Sequence, residues 1–277
     1  MTITREGLLP NFAEHDEDSK NHLIESPIVP TDYVQRYLKH QLRERGINPA
    51  ALRVLDVGCG RGDTVAWLCD AGFDAYGTDV SADYIDRGRE YLTRVGADPA
   101  RLRPMNPDFS YPFDDGAFDV VLSDQVLEHV ADLGAFAAEV ARVSAPGAGG
   151  LHIWDAKWRP IESHLRAPVV HWLPKGPLRR AAVSAALRLG LAAPYFTEFS
   201  VRERAEIFGR FSEDETFYRS VRSSVATIER HGLRCEAKAS SQQKIGDRLP
   251  GAPAAALPLL GWLYRHMFSV YLQTVKS

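Results

Sequence analysis

The chain has 277 residues, of which 45% are hydrophobic and 25% are charged, and its formal net charge at pH 7 is -3. This length suits one large domain or two small ones, and the ordinary composition excludes a disordered, collagen-like or coiled-coil protein. The slightly acidic balance argues against a nucleic-acid binder, which would normally be basic. Three scattered cysteines exclude a disulfide framework or zinc cluster and indicate a reducing compartment, so we expect a cytoplasmic protein.

The charge is unevenly spread along the chain. Residues 1–25 hold six acids and two bases, whereas residues 157–210 hold ten bases and four acids. Polar residues and prolines over 1–30 predict a flexible N-terminal arm. This arm lacks the apolar stretch of a secretory signal, and no run of 18 uncharged apolar residues predicts a membrane span.

An alternation of helices and strands follows the arm and predicts one domain over residues 31–277. Strands that alternate with helices indicate a doubly wound, mostly parallel α/β sheet. Its core covers about residues 50–155, an inserted lid rather than a second core follows the fifth strand at about 156–212, and a helix and strands complete the domain over 213–277. The predicted helices span 32–45, 63–71, 81–95, 132–143 and 214–231, and the predicted strands span 53–57, 74–80, 101–106, 118–123, 150–155, 233–239 and 268–275.

The most informative stretch is VLDVGCGRGD, residues 54–63, where a buried strand enters three alternate glycines and then a helix. Glycine permits positive φ and lets a ligand approach the backbone, at the sheet edge where α/β proteins bind ligands. A P-loop is excluded because its lysine is absent. A dinucleotide fingerprint fails because Asp63 replaces the third glycine, and Asp56 would repel a pyrophosphate. A cationic, phosphate-free ligand fits better, and Asp79 after the second strand suits ribose hydroxyls.

Three stretches in order, VLDVGCGRGDTVAWL, YGTDVS and FDDGAFDVVLSDQVLEHV, resemble the class I S-adenosylmethionine-dependent methyltransferases over about residues 50–155. The resemblance implies a seven-stranded Rossmann-like sheet and S-adenosyl-L-methionine as cofactor. It implies that Asp56 faces the methionine amino group, that Gly58 and Gly60 pass under the methionine and ribose, and that Asp79 holds the ribose hydroxyls. The other implied cofactor-binding residues are Cys59, Val80, Asp108, Phe109, Ser123 and Asp124. The alternative for the acids is structural, as a loop cap or a turn.

Methyl transfer needs a general base only if the acceptor holds its proton, as a sugar hydroxyl does. The candidate bases are His129, just beyond the fourth strand, and His164, after the fifth; His129 alternatively packs in or caps its turn. No metal is expected, because Gln125 replaces the first glutamate of a Glu-x-x-Glu-His pattern found in some relatives. Further acceptor contacts are predicted for a set that alternatively pins the insertion to the core, namely Gln125, Trp154, Asp155, Trp158, Glu162 and His171.

The basic insertion has three open interpretations. It is a lid with a solvated charged face, it attracts an anionic acceptor, or it docks on an anionic membrane near a lipid-linked substrate, as the apolar stretch 251–264 favours. A nucleic-acid partner is not expected. The acidic arm and the insertion are hypothesised to face each other across the acceptor entrance.

The favoured reaction is O-methylation of a sugar or other hydroxylated small molecule, so the expected partner is a small-molecule or glycan acceptor. The alternatives are N-, C- or carboxyl-methylation of another small molecule, and a catalytically silent cofactor-binding protein that acts through its insertion.

Overall fold

A computed structural model describes residues 29–237 and 257–277. The predicted arm, apart from its last two residues, lies outside the described residues. The hypothesis that the arm faces the insertion concerns the same residues and stays a prediction. The apolar stretch 251–264 is described only from residue 257 onward. Within the described ranges, no helix combines the length and the apolar content needed to cross a bilayer.

Seven strands form one sheet in the order β3-β2-β1-β4-β5-β7-β6. Five of them pair in parallel, while β7 lies antiparallel between β5 and β6. This arrangement confirms the predicted class I Rossmann-like fold. In chain order the strands are β1 (Arg53–Val57), β2 (Asp74–Asp79), β3 (Leu102–Pro104), β4 (Phe118–Asp124), β5 (Ser144–Asp155), β6 (Leu233–Glu236) and β7 (Ser269–Lys276).

The helices of the core begin where the sequence predicts them. At α3 the Ser81 hydroxyl accepts a hydrogen bond from the Tyr84 amide at 3.2 Å, and Asp132 caps α4 in the same way. Thr31, which precedes α1, makes no such side-chain bond. In chain order the helices are α1 (Asp32–Arg45), α2 (Asp63–Asp70), α3 (Ala82–Arg94), α4 (Leu133–Val143), α5 (Pro177–Arg188), α6 (Val201–Arg210), α7 (Val221–Glu229) and α8 (Leu257–Met267).

The helix predicted over 214–231 is wrong in its first part. A π-helical turn (Phe211–Glu215) continues α6, residues 216–220 are extended, and α7 begins only at Val221. The Phe217 amide donates to the Glu128 carbonyl oxygen at 2.6 Å. This bond fastens the extended segment to the turn after β4, so tertiary contact overrides local helix propensity here.

Two other elements differ from the prediction. Strand β5 starts at Ser144, six residues earlier than expected. Its register against β4 shifts between the pairs Phe118–Ser144 and Val120–Gly149, so Pro146 and Gly147 lie in a bulge within the strand. Helix α8 was not predicted, because the apolar stretch 251–264 carries prolines at 253 and 258. Pro258 stands in its first turn, where proline is tolerated.

Apolar side chains cover both faces of the sheet. Val54 of β1 points into the cluster under α1, α2 and α3, while its neighbour Leu55 points into the cluster under α4 and α7. Each such side chain contributes about 1.5–3 kcal/mol when buried. The insertion has a third apolar cluster, built around Leu165, Val183 and Phe208. The insertion thus packs around an apolar cluster of its own, and the division into core, lid and C-terminal part stays a prediction.

Candidate active site

The glycine loop joins β1 to α2 at the carboxyl edge of the sheet. Gly58, Gly60 and Gly62 all have positive φ, at 71°, 52° and 76°. A Cβ on Gly58 would lie 2.4 Å from Val126 Cγ2, and one on Gly62 would lie 2.7 Å from Leu102 Cδ1. A Cβ on Gly60 would meet nothing within 4 Å. The outer two glycines are thus required by packing, whereas Gly60 borders open space that a ligand can occupy.

Asp79 is held rigidly beside this space. Its Oδ2 accepts a hydrogen bond from the Gly60 amide and its Oδ1 accepts one from the Ser81 amide, each at 2.9 Å. Burial raises the pKa of Asp79, and these bonds oppose the rise. Each carboxylate oxygen has a further lone pair, so the pair of oxygens remains able to accept from two ligand hydroxyls.

Asp56 lies at the end of β1 and is almost fully buried. Burial raises its pKa to about 8, and the neighbouring carboxylates of Asp124 and Asp79 add to the rise. Three carboxylates therefore converge at the ends of β1, β2 and β4, which suits a positively charged ligand. A cavity of about 90 Å³ adjoins two of them and is lined by Val29, Pro30, Thr31, Val34, Asp56, Thr64, Leu122, Ser123, Asp124, Leu151 and Ile153.

The loop residues predicted to flank the cofactor differ in character. Val80 and Phe109 are 64% and 66% exposed, and Phe109 has a φ of +64°, a strained conformation of the kind that clusters at binding sites. Asp108 is exposed and its Oδ1 accepts hydrogen bonds from the Ser110 amide and hydroxyl, which lower its pKa. Its carboxylate therefore serves the turn, as the structural alternative stated.

Two other predicted cofactor residues point toward the protein interior. The Ser123 hydroxyl lies 2.8 Å from His152 Nδ1 inside the sheet, although Ser123 also lines the cavity. Cys59 is buried beside Gly77, and burial raises the pKa of its thiol well above the usual range. The thiol therefore stays neutral at pH 7.

The two candidate bases touch each other. His129 Nε2 lies 3.2 Å from His164 Nε2, although 35 residues separate them in the chain. His129 Nδ1 lies 2.8 Å from the carbonyl oxygen of Glu215, and His164 Nδ1 lies 2.9 Å from Oε1 of Glu162. The Tyr218 hydroxyl donates to the same carboxylate oxygen. The turn after β4, the insertion and the extended segment before α7 thus meet in one polar cluster.

The charges in this cluster follow from its hydrogen bonds. Burial alone would raise the pKa of Glu162, but donors on His164, Tyr218 and the Leu165 amide hold it below its usual value. Burial opposes protonation of His164, yet the Glu162 carboxylate, with Glu128 and Asp155 nearby, raises its pKa. Glu162 therefore stays ionised at neutral pH, and its carboxylate favours the protonated form of His164.

Two buried groups beside the cluster have no hydrogen-bond partner with normal geometry among the residues that the structure describes. These are the carboxyl of Glu128 and both ring nitrogens of His171. Burial raises the pKa of Glu128 to about 8 and lowers the pKa of His171 to about 4. Both groups are thus largely neutral at pH 7, which reduces the cost of burying them.

The aromatic residues predicted to contact the acceptor divide into two kinds. Trp154 is 2% exposed and packs in the core under α4 and α7, so its predicted acceptor contact is wrong. Trp158 and Trp172 are 43% and 39% exposed, with ring centroids 5.9 Å apart in an edge-to-face contact. They present an open aromatic surface on the insertion.

Two predicted polar contacts lie at the ends of β4 and β5. Asp155 is buried and bonds to Arg159, which supports the alternative that it fixes the insertion. Gln125 is exposed with a φ of +57°, and its amide donates to the Ile153 carbonyl oxygen at 2.8 Å. The Gln125 side chain remains available at the sheet edge.

Several arginines of the insertion serve its internal structure. The buried Arg179 donates to the carbonyl oxygens of Leu173 and Ser212 at 2.9 and 2.8 Å. Arg180 pairs with Glu213, and Arg204 donates to the Ala193 carbonyl oxygen. These contacts satisfy part of the positive charge locally.

The roles of Glu128 and Tyr218 were not apparent from the sequence. Glu128 is the second glutamate of the Glu-x-x-Glu-His pattern, but no local signal shows that its side chain is buried. Tyr218 was assigned to a helix, and its contact with Glu162 spans 56 residues. Only an extended interpretation of residues 216–220 would have brought it toward the site.

Comparisons with known proteins agree with this geometry. Residues 55–150 match the family model of a methyltransferase domain. The chain carries a class I S-adenosylmethionine-dependent methyltransferase domain. This domain is 31% identical over 132 residues to a ubiquinone biosynthesis O-methyltransferase of Methylococcus capsulatus, covering 48% of this chain and 54% of that protein. It is 32% identical over 127 residues to the 2-methyl-6-phytyl-1,4-hydroquinone methyltransferase of Synechocystis, covering 44% and 39%.

The match thus spans about half or less of these relatives' own length. Among solved structures, a sarcosine dimethylglycine methyltransferase candidate from Galdieria sulphuraria superposes with a TM-score of 0.50 at 15% identity, covering 88% of this chain and 85% of that one. At that identity the likeness concerns the fold alone, which agrees with the Rossmann-like sheet.

The residues of the methyltransferase domain fit S-adenosylmethionine. The open space over Gly60 gives room for close backbone approach, and the fixed carboxylate of Asp79 offers acceptors for a ribose. The carboxyl group of Asp56 is largely protonated at pH 7 without ligand, and a cationic amino acid moiety would favour its ionised form. Gly60 lies in the glycine loop, and Asp56 and Asp79 lie at the strand ends beside it.

Proposed function

We propose that the protein is an enzyme that methylates a hydroxyl oxygen of a small molecule. The observation that carries the proposal is the contact between His129 and His164 at the carboxyl edge of the sheet. The carboxylate of Glu162 bonds to His164 on the other side of its ring. Such a histidine pair is a general base of the kind that a neutral hydroxyl requires and that a carboxylate acceptor would not.

The chain's residues divide the work between two neighbouring regions. S-adenosylmethionine, when bound, supplies a methyl group on a positively charged sulfur. Asp79, Gly60 and Asp56 bind and orient it, while the histidine pair takes the acceptor's proton. Val126 packs against Gly58 and begins the turn that carries His129, so the base and the cofactor loop are fixed relative to each other. Alignment of reactants accounts for much of such catalysis.

We propose an acceptor with a hydroxylated ring, such as a phenol or hydroquinone, rather than a sugar. The printed names of the relatives refer to ubiquinone biosynthesis and to a hydroquinone. The exposed pair Trp158 and Trp172 gives a surface on which a ring can pack. We also propose a cytoplasmic location, since all three cysteines are free thiols.

Binding and turnover test this function separately. Calorimetry with S-adenosylmethionine should detect binding, and Asp79→Ala should weaken it by about 1–3 kcal/mol because the ribose hydroxyls lose a fixed acceptor. Asp83→Asn, at an exposed position on α3, is the control and should bind normally. Absence of binding by the unaltered protein would refute the cofactor assignment.

Turnover is measured with labelled cofactor on a panel of a catechol, a hydroquinone, a sugar, an amine and a carboxylic acid. We expect label on a phenolic oxygen, and His129→Ala should reduce its rate by about 10²–10⁴ without weakening cofactor binding. Label found only on the amine or the acid would contradict O-methylation. Binding without turnover of any acceptor would favour a silent cofactor-binding protein.

A further inference from the structure

The hydrogen-bond partners of His129 and His164 restrict which of their ring nitrogens carry protons. His129 Nδ1 faces the Glu215 carbonyl oxygen, which can only accept, so this nitrogen carries a proton. His164 Nδ1 faces the Glu162 carboxylate, which also accepts a bond from the Tyr218 hydroxyl, so this nitrogen carries a proton too. A neutral imidazole has only one N–H. If both rings were neutral, both Nε2 atoms would be bare lone pairs.

Those Nε2 atoms lie only 3.2 Å apart. Two lone pairs at that distance repel each other, whereas one proton between them makes a normal hydrogen bond. We propose that His129 and His164 share one proton between their Nε2 atoms in the resting protein, and that the pair without this proton is the general base of the reaction. The catalytic half of this inference rests on the proposed O-methylation.

The surroundings favour a single positive charge on the pair. The buried, ionised carboxylate of Glu162 lies beside His164. The ring of Phe211 lies next to both imidazoles, with its centroid 6.2 Å from that of His129 and 5.3 Å from that of His164. The exposed edge of His129 gives the proton a route to water. Glu128 and Asp155, the latter paired with Arg159, also face His164. Tyr218, His171 and Arg179 face Glu162 instead, and Arg219 donates to the Val130 carbonyl oxygen, next to His129 in the chain.

The reaction balances with this pair as the base. The acceptor O–H bond and the bond from sulfur to the methyl carbon break, and one oxygen–carbon bond forms. The hydroxyl proton passes to Nε2 of His129, and the positive charge that leaves the sulfur is now held on the histidine pair. Release of that proton from exposed His129 to water restores the base. The pair must therefore lose its proton before each turnover.

Glu162 and Tyr218 act as positioning residues in this scheme. Glu162 fixes the Nδ1–H form of His164 and so directs its Nε2 toward His129. Tyr218 donates to the same carboxylate and holds it in place. Neither side chain needs to touch the acceptor, so both act through the pKa of the pair.

Histidine ring NMR tests the shared proton without any acceptor. In the full chain labelled with ¹⁵N-histidine, long-range ¹H–¹⁵N spectra report which ring nitrogens are protonated. We expect both Nδ1 atoms to be protonated at pH 7, and both Nε2 signals to move with one common midpoint above about 6.5, the usual value for histidine. Two separate midpoints at or below about 6.5 would overturn the proposal, and this result needs no variant to fold.

Variants of Glu162 test whether its carboxylate raises the midpoint at which the histidine pair loses the shared proton. Glu162→Gln should lower the common midpoint by about one pH unit or more, because the opposite charge is lost. The matched control is Glu44→Gln, which removes the carboxylate 3.9 Å from exposed His40 and should leave the pair unchanged. A folded Glu162→Gln protein with an unchanged midpoint would contradict the assignment.

The pH dependence of turnover tests the role as base. We expect kcat/KM to rise with pH through one proton, at the NMR midpoint of the pair, and that limb should move to lower pH in Glu162→Gln. A merely structural Glu162 would lower the rate without moving the limb. A common NMR midpoint in a protein that transfers no methyl group would keep the shared proton and remove both its catalytic role and the proposed function.

Discussion

At the scale of single residues, Asp56 links cofactor binding to a proton. Its pKa of about 8 means that the carboxyl is largely protonated at pH 7. A cationic ligand beside it lowers that pKa, so binding should release a proton of order half an equivalent or more at pH 7. Calorimetry of S-adenosylmethionine binding in buffers of different ionisation enthalpy measures this release.

Two variants calibrate the measurement. Asp56→Asn should abolish most of the release, because the amide does not titrate. Asp108→Asn is the matched control, since hydrogen bonds from Ser110 already lower the pKa of Asp108 and it has no proton to lose at pH 7. The same heat of binding in every buffer would show that Asp56 does not respond to the ligand.

The positions of the residues predicted to bind the cofactor followed from the sequence because their signals are local. Gly58, Gly60 and Asp79 lie next to strand ends, where the parallel fold itself brings them together. The base region was less accessible, since Tyr218 reaches Glu162 only through an extended segment held by Glu128. Trp154 shows the same limit: strand alternation permits either a core or a site position, and packing decides it.

At the scale of elements, the glycines of the loop have different roles: Gly58 is required for packing, whereas Gly60 borders the space expected to hold the cofactor. Gly58→Ala should destabilise the protein most, because the added Cβ would clash with Val126 in addition to the cost of a positive φ. Gly60→Ala should fold with only the cost of φ, about 1–2 kcal/mol, but should weaken cofactor binding because its Cβ fills the space over the loop.

Gly96→Ala is the control for the φ cost alone. It has a φ of +81° and no atom within 4 Å of an added Cβ, and it lies in a turn after α3. Urea unfolding and cofactor calorimetry on the three variants separate the effects. Equal binding by Gly60→Ala and Gly96→Ala would mean that the space over Gly60 does not hold the cofactor.

The elements also show where sequence patterns succeed. Helices α3 and α4 begin at side-chain caps, and strands β1 and β4 are short, mostly apolar runs. The bounds of all four elements were therefore predicted nearly to the residue. Strand β5 was predicted too short, because a proline and a glycine suggested a turn where the pairing register only shifts. Local turn chemistry cannot distinguish a bulge from a strand end.

At the scale of the whole molecule, buried titratable groups should make stability fall as pH rises from about 6.5 to about 8. Asp56 and Glu128 keep protons in the folded state up to a pKa of about 8, whereas the unfolded chain loses them much earlier. Each contributes a decrease of up to about 1.4 kcal/mol per pH unit. His152 and His171, with pKa values lowered to about 4, oppose this trend only below about 6.5.

Urea unfolding at pH 6.5 and pH 8 measures the decrease. Asp56→Asn and Glu128→Gln should each make it smaller, while Asp83→Asn, on an exposed ion pair, should not change it. A free energy of unfolding that increases over this interval would contradict the assigned protonation of both carboxyls.

The position of β7 sets the order in which the sheet can be completed. Among the described strands, β6 pairs with β7 alone, although more than thirty residues separate them in the chain. While the ribosome is making the protein, β6 therefore has no neighbour until residues 269–276 have left the exit tunnel. Until then, the edge of β5 that will receive β7 also lacks its partner. The nascent chain thus exposes an open sheet edge until β7 has emerged, a state that favours self-association or chaperone binding.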